Sequence, residues 1–206
     1  MKLHKTLLIA MCVIGLASCE NKKKDNNSMS NPTHTPDKES VIENAENAKD
    51  ASTDNAIQIQ VTMEAKSDSK VSGNIVFTQV DDTVKMLGEL EGLKPNTEHA
   101  IHLHETADCS AHDAKSSGGH WNPTDSKHGK WGDAEGYHHG DIGNFTTDEN
   151  GNATVTFETD QWCLNCEDET KTIVGRGIII HEGTDDFTTQ PTGDAGKRIA
   201  CGAINR

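Results

Sequence analysis

Eleven histidines stand in a chain of 206 residues, most of them between His99 and His139. Residues 118–144, GGHWNPTDSKHGKWGDAEGYHHGDIGN, hold four of these histidines and three aspartates in a Gly-rich stretch with neither a helical nor a strand period. Imidazole nitrogens and a carboxylate are the ligand set that suits Zn²⁺ and Cu²⁺. His120, His128, His138, His139 and Asp141 are therefore candidate metal ligands. Just upstream lies His102-Leu103-His104. On a strand, residues two apart project from one face, so both imidazoles can reach a single ion while Leu103 points the other way. His181 closes the run GIIIHEG, whose three isoleucines demand burial. Taken alone, a histidine there reads first as a core-edge residue and second as a ligand.

The elements that must carry these side chains are strands. From Ile57 the segment IQIQVTMEA alternates with period two, and KVSGNIVFTQV and VKMLGELEGL follow across polar turns. EHAIHLHE, GNFTTDENGNATVTFET, IVGRGIIIHEG and RIACGAIN complete the series, the second of these reading as a hairpin around Glu149-Asn150-Gly151. That makes about eight short strands and no convincing amphipathic helix, the pattern of an antiparallel sandwich or barrel. Two connections are long, residues 106–142 and 181–197. Long loops in compact domains are usually functional, and both begin at or beside a histidine-bearing strand end.

The ends and the charge bound the rest. MKLHKTLLIAMCVIGLASC has two early lysines and an apolar run too short to span a bilayer, which reads as a secretory signal. Its ending, LASC, resembles a bacterial lipoprotein signal, with residues 1–18 removed and Cys19 lipidated. More than one acyl chain would then anchor the protein stably to a membrane. Residues 19–55 are mostly Asn, Lys, Asp, Glu, Ser and Thr, a composition that cannot bury enough surface to order itself, and read as a tether for a domain at 56–206. A formal charge of −14 argues against nucleic acid and against an anionic membrane surface as partner. With Cys12 and Cys19 set aside, Cys109, Cys163, Cys166 and Cys201 are disulfide candidates in an exported protein.

Five motifs taken in order, IHLHE, GGHWNPTDSKHG, HHGDIGN, GIIIHEGTDDF and TGDAGKRIACG, closely resemble the copper/zinc superoxide dismutases over the whole of the candidate domain. The resemblance implies an all-β fold, an eight-stranded antiparallel Greek-key β-barrel or sandwich with two long functional loops. It implies copper held by His102, His104, His120 and His181, and zinc held by His120, His128, His138 and Asp141, with His120 bridging the two. The family spacing His-x-Gly-Asp selects His138 over His139. Asp185 resembles the aspartate that links a copper ligand to a zinc ligand, whereas Asp186 reads as a solvated carboxylate. Arg198 resembles the arginine that attracts and orients superoxide; Lys197 has no assigned role. Cys109 and Cys201 match the family disulfide.

The implied activity is dismutation of the superoxide anion to O₂ and H₂O₂ by a redox-cycling copper beside a structural zinc, outside the cytoplasm, facing the periplasm or the cell exterior. A non-catalytic copper/zinc-binding or copper-delivery module of the same fold is the alternative, though such a module is expected to lack a copper ligand or the arginine. Members of the family pair in different ways, so a homodimer is an option whose interface the sequence does not choose. Cys163 and Cys166 depart from the family pattern. A local disulfide is the first reading, and an exposed thiol pair that passes copper is the second. His99 and His112 read as structural and solvated residues.

Overall fold

The computed structural model describes residues 56–206. The expected signal, the lipidated Cys19 and the tether lie outside these residues. Eight strands run in chain order: β1 (Ile57–Ala65), β2 (Ser72–Val80), β3 (Thr83–Glu91), β4 (Glu98–His104), β5 (Gly143–Thr146), β6 (Ala153–Thr159), β7 (Gly177–His181) and β8 (Arg198–Ala203). One 3₁₀ turn, Lys115–Ser117, is the only helical element among the described residues. All ladders are antiparallel, in the order β5-β4-β7-β8-β1-β2-β3-β6. The edge strands β5 and β6 approach each other without a ladder, so the sheet curls into a nearly closed Greek-key barrel.

Period-two alternation explains the core. β1 buries Ile59, Val61 and Met63 and exposes the residues between them, and Val84, Met86 and Leu90 do the same for β3. Each buried large aliphatic side chain contributes about 1.5–3 kcal/mol. β7 differs because every one of its residues is buried. Ile178 and Ile180 enter the barrel with Ile101 and Leu103, while Ile179 packs outside against Ala114 and Cys201 under the long first loop. The three isoleucines are thus shared between two cores. Leu103 likewise enters the core, so His102 and His104 project from the outer face, where loops cover them.

Two expectations about connections need correction. β5 and β6 flank the predicted turn but do not pair with each other; β5 joins β4, and β6 joins β3. The cause is local and tertiary together. Asp148 accepts hydrogen bonds from the backbone N–H groups of Asn150 and Asn152, closing a wide turn. The backbone of that turn is spent on the neighbouring β3–β4 connection, through Leu93 N–H to Gly151 carbonyl (3.1 Å) and Asn96 N–H to Asp148 carbonyl (3.0 Å). The sequence also suggested two long loops. A third, residues 160–176, exists because β7 begins only at Gly177, past the turn at Val174-Gly175.

Candidate metal centre

His102 and His104 come from β4, His181 from the end of β7, and His120 from the long loop. The loop places His120 by running beside β4 as a short false strand. Glu105 N–H donates to Gly119 carbonyl (3.0 Å), Trp121 N–H to Leu103 carbonyl (2.8 Å), and His104 and His120 form an isolated antiparallel bridge. Gly140 closes the same edge, accepting from Leu103 N–H at 2.9 Å, and any Cβ there would strike the Leu103 carbonyl. A backbone approach this close is open only to glycine.

The result is two groups of convergent side chains. His102, His104, His120 and His181 form one; His120, His128, His138 and Asp141 form the other; in each, one ligand atom per residue lies within 4.8 Å of the rest. His120 belongs to both. All seven residues are buried. The His102 and His120 rings are 4.0 Å apart between centroids, and His104 Nε2 lies 3.4 Å from His181 Nε2.

Four of the imidazoles are held by one nitrogen and offer the other. His104 Nδ1 donates to the Gly118 carbonyl (3.0 Å) and His181 Nδ1 to the Gly196 carbonyl (3.3 Å), turning both Nε2 atoms inward. His102 Nε2 and His128 Nε2 donate to the two oxygens of Asp185, at 2.9 and 2.8 Å. Asp185 therefore ties one group to the other. His120 Nδ1 lies 2.8 Å from Asp141 Oδ1, on the side of the second group. The nitrogens left over, His102 Nδ1, His120 Nε2, His128 Nδ1 and His138 Nδ1, are buried without a hydrogen-bond partner. Buried polar atoms are rarely left unpaired. Four of them aimed into the same two spaces fit metal ions in both places.

Charge follows position. Burial, reinforced by the neighbouring imidazoles, holds His104 and His181 well below the ordinary histidine range. Burial also lowers His120 to about 4, against the opposing pull of Asp141. Neutral imidazoles are what a metal needs. His128 is the exception: burial opposes its charge, but Asp141 and Asp185 on either side outweigh that and raise it to about 9. The three imidazoles packed around Asp141, those of His120, His128 and His138, overcome burial and hold it well below the carboxylate range; the hydrogen bonds from His102 and His128 do the same for Asp185.

Arg198 opens β8, half-buried, its Nη1 donating to the Ala114 carbonyl (2.8 Å) and Ser117 Oγ (3.2 Å). With His181, Thr192 and Asp194 it lines a cavity of about 230 Å³ leading to the first group. Cys109 and Cys201 are bonded, with Cα atoms 5.8 Å apart, which pins the first loop to β8. Cys163 and Cys166 are also bonded.

His139 lies outside both groups, its Nδ1 donating to the Thr170 carbonyl (2.8 Å). His112 is exposed beside Asp68, and exposed Asp186 caps the N–H groups of Thr188 and Thr189. His99 shares its face with Ile101 and Leu103, and its Nδ1 donates to the His181 carbonyl (2.9 Å). Two residues that sequence reasoning passed over are amide clamps. Gln190 accepts from His128 N–H and donates to its carbonyl, both at 2.9 Å. Asn144 does the same for Asp185, at 2.8 and 2.9 Å. Asn144 lies inside the HHGDIGN motif and could have been singled out there; Gln190 carries no local signal.

Comparison with known proteins agrees with this geometry. The family model described as copper/zinc superoxide dismutase matches residues 71–204. Two superoxide dismutases [Cu-Zn] of Aquifex aeolicus are 36% identical over 140 residues (67% of this chain, 81% of the relative) and 38% identical over 134 residues (64% and 79%). A crystal structure of a double mutant of a SOD-like protein from Bacillus subtilis superposes with a TM-score of 0.64 at 29% identity, covering 71% of this chain and 97% of that one. With the family's motifs, its barrel and two convergent sites for metal in place, the chain belongs to the copper/zinc superoxide dismutase family.

Proposed function

We propose that the protein is an exported, lipid-anchored superoxide dismutase whose copper is held by His102, His104, His120 and His181 and whose zinc is held by His120, His128, His138 and Asp141. The observation that carries this reading is the sharing of His120 between two buried groups, each with nitrogens aimed inward and unpaired. Only an imidazole offers two ring nitrogens that can face two metals at once. The carboxylate of Asp141 favours the harder, redox-silent zinc, and the all-imidazole group suits an ion that alternates between Cu(I) and Cu(II).

Copper supplies the one-electron exchange in which two superoxide anions and two protons become O₂ and H₂O₂, and zinc supplies a fixed charge. The protein's own part is positioning. Asp185 fixes the tautomers of His102 and His128 together, as metal-bound histidines require. Arg198, held at the cavity mouth by Ala114 and Ser117, draws and orients the anion. His120 Nε2, buried and free of other partners, is the atom that can hold a proton for the peroxide product. Two disulfides support export, since such bonds persist in oxidising compartments. The domain at 56–206 would then hang from Cys19 through the tether. The charge of −14 makes Arg198 a local positive focus in a repulsive field.

The test is direct: load the full chain with copper and zinc and follow superoxide consumption. Rapid turnover that falls in Arg198→Gln at unchanged metal content is the expected result. A fully metallated protein without activity overturns the enzyme and leaves a metal-binding module.

A further inference from the structure

Residues 160–176, between β6 and β7, contribute no side chain to either metal group, yet they grip the second group from outside. His138 sits between Tyr137 and His139, and both neighbours are held by this connection. Gln161 Nε2 donates to the Tyr137 hydroxyl at 2.7 Å. On the other side, Trp162 Nε1 donates to the His139 carbonyl at 2.9 Å, and His139 Nδ1 donates to the Thr170 carbonyl at 2.8 Å. Trp162 is itself buried in the barrel core, and Trp131 packs 5.8 Å from its ring and 5.0 Å from that of Tyr137.

The two legs of the connection are locked to each other. Cys163 N–H donates to the Lys171 carbonyl (2.9 Å), Ile173 N–H donates to the Cys163 carbonyl (3.1 Å), and the Cys163–Cys166 bond closes the turn between them. His138 has no strand ladder of its own, and ordering a Gly-rich loop is entropically expensive. A ligand held on both sides by a closed frame retains its metal better than one on a free loop.

We propose that residues 160–176, closed by Cys163–Cys166, form a brace that positions His138, with His139 as the positioning residue that transmits it; this rests on the second group being the zinc site. The departure from the family at Cys163 and Cys166 and the doubled histidine then have one explanation. The brace acts on zinc; three of the four copper-group residues, His102, His104 and His181, are positioned by β4 and β7 instead.

The experiment uses the full chain loaded with copper and zinc, and measures zinc release to an excess of a chromogenic chelator. Cys163→Ser/Cys166→Ser and His139→Ala should each release zinc roughly 10-fold faster, within the range for residues supporting a metal ligand. The combined variant should release zinc more slowly than the two effects multiplied would give, because both act on one frame. With cobalt in the second site, its visible absorption bands should shift in both variants, and the copper EPR spectrum should not. Val61→Ala, a core truncation in β1, controls for general destabilisation. Release from the brace variants at the wild-type rate, or release from Val61→Ala as fast as theirs, overturns the brace. A wild-type chain that takes up no zinc overturns the zinc reading and the brace with it.

Discussion

The two candidate metal groups share His120 but are built from different material. Three of the four residues in the first group, His102, His104 and His181, stand on strands whose opposite faces fill the barrel core. Three of the four in the second, His128, His138 and Asp141, stand on a loop. The strand-held imidazoles owe their positions to β4–β7 pairing, with carbonyls of Gly118 and Gly196 choosing the nitrogen offered. The loop-held ligands depend on side chains from elsewhere: Gln190 clamps His128, Asp185 orients it, and the 160–176 connection flanks His138. Electrostatics differ too, since burial discharges His104 and His181 while two carboxylates keep a proton on His128. A barrel can preorganise most of one site on its paired strands; the other has to be assembled by loop and side-chain contacts.

The difference can be broken most severely at the shared ligand. His120→Ala should empty both groups, weakening each metal by more than the ~100-fold upper range for a supporting residue; copper and zinc contents after dialysis check it. Retention of either metal at full occupancy would mean that the groups are independent.

Opening the disulfide tests how far the loop depends on its anchor. Cys109→Ser/Cys201→Ser frees a closure spanning 92 residues and should lower stability by about 4–5 kcal/mol in denaturant, by loop-closure entropy. Amides of residues 106–142 should exchange faster while those of β4 and β7 stay protected.

Asp185→Asn sharpens the link between the groups. It should weaken copper and zinc binding together by about 10- to 100-fold, whereas Asp186→Asn, which touches only Thr188 and Thr189, should leave both unchanged. An Asp185 variant that loses one metal only would show that its two hydrogen bonds act separately.

The pH dependence of metal-free protein separates the groups by sign. His104, His120 and His181 have folded values below the unfolded one, so the unfolded chain binds protons first. Stability therefore falls as pH drops from about 6.5 toward 4. His128 runs the other way. Its contribution is complete below about 6.5 and is lost as pH rises through about 9. Urea midpoints on chelator-treated protein should peak between these limbs, and a midpoint constant from pH 7 to 4 would contradict buried neutral imidazoles. The smallest effect is expected at the cavity mouth, where Asp194→Asn removes an exposed negative charge near Arg198 and should raise the superoxide rate modestly at low salt.

Much of this arrangement is legible in the sequence. Period-two alternation in residues 57–65 and 83–91 is a local property of a half-buried strand, and it placed the strands to within a few residues. The pairing of β5 with β4, in place of a hairpin with β6, was not legible, because the turn itself is ordinary and the partner lies more than 40 residues upstream. Gln190 and the carbonyls of Gly118 and Gly196 were invisible for a related reason: a backbone oxygen has no sequence signature, and a lone glutamine in a polar loop looks like solvent-facing chain.

By itself the sequence determined the kind of protein this is. Histidine spacing on strands, the ligand types and the ordered motifs are covalent facts, and they restrict the chain to a β-barrel with copper and zinc chemistry. Tertiary structure alone decided which nitrogen each histidine offers, which amide side chains clamp His128 and Asp185, and which connection flanks His138. Those choices depend on what lies within 3 Å of an atom, and in a barrel closed by loops the nearest neighbours come from strands and connections far away along the chain.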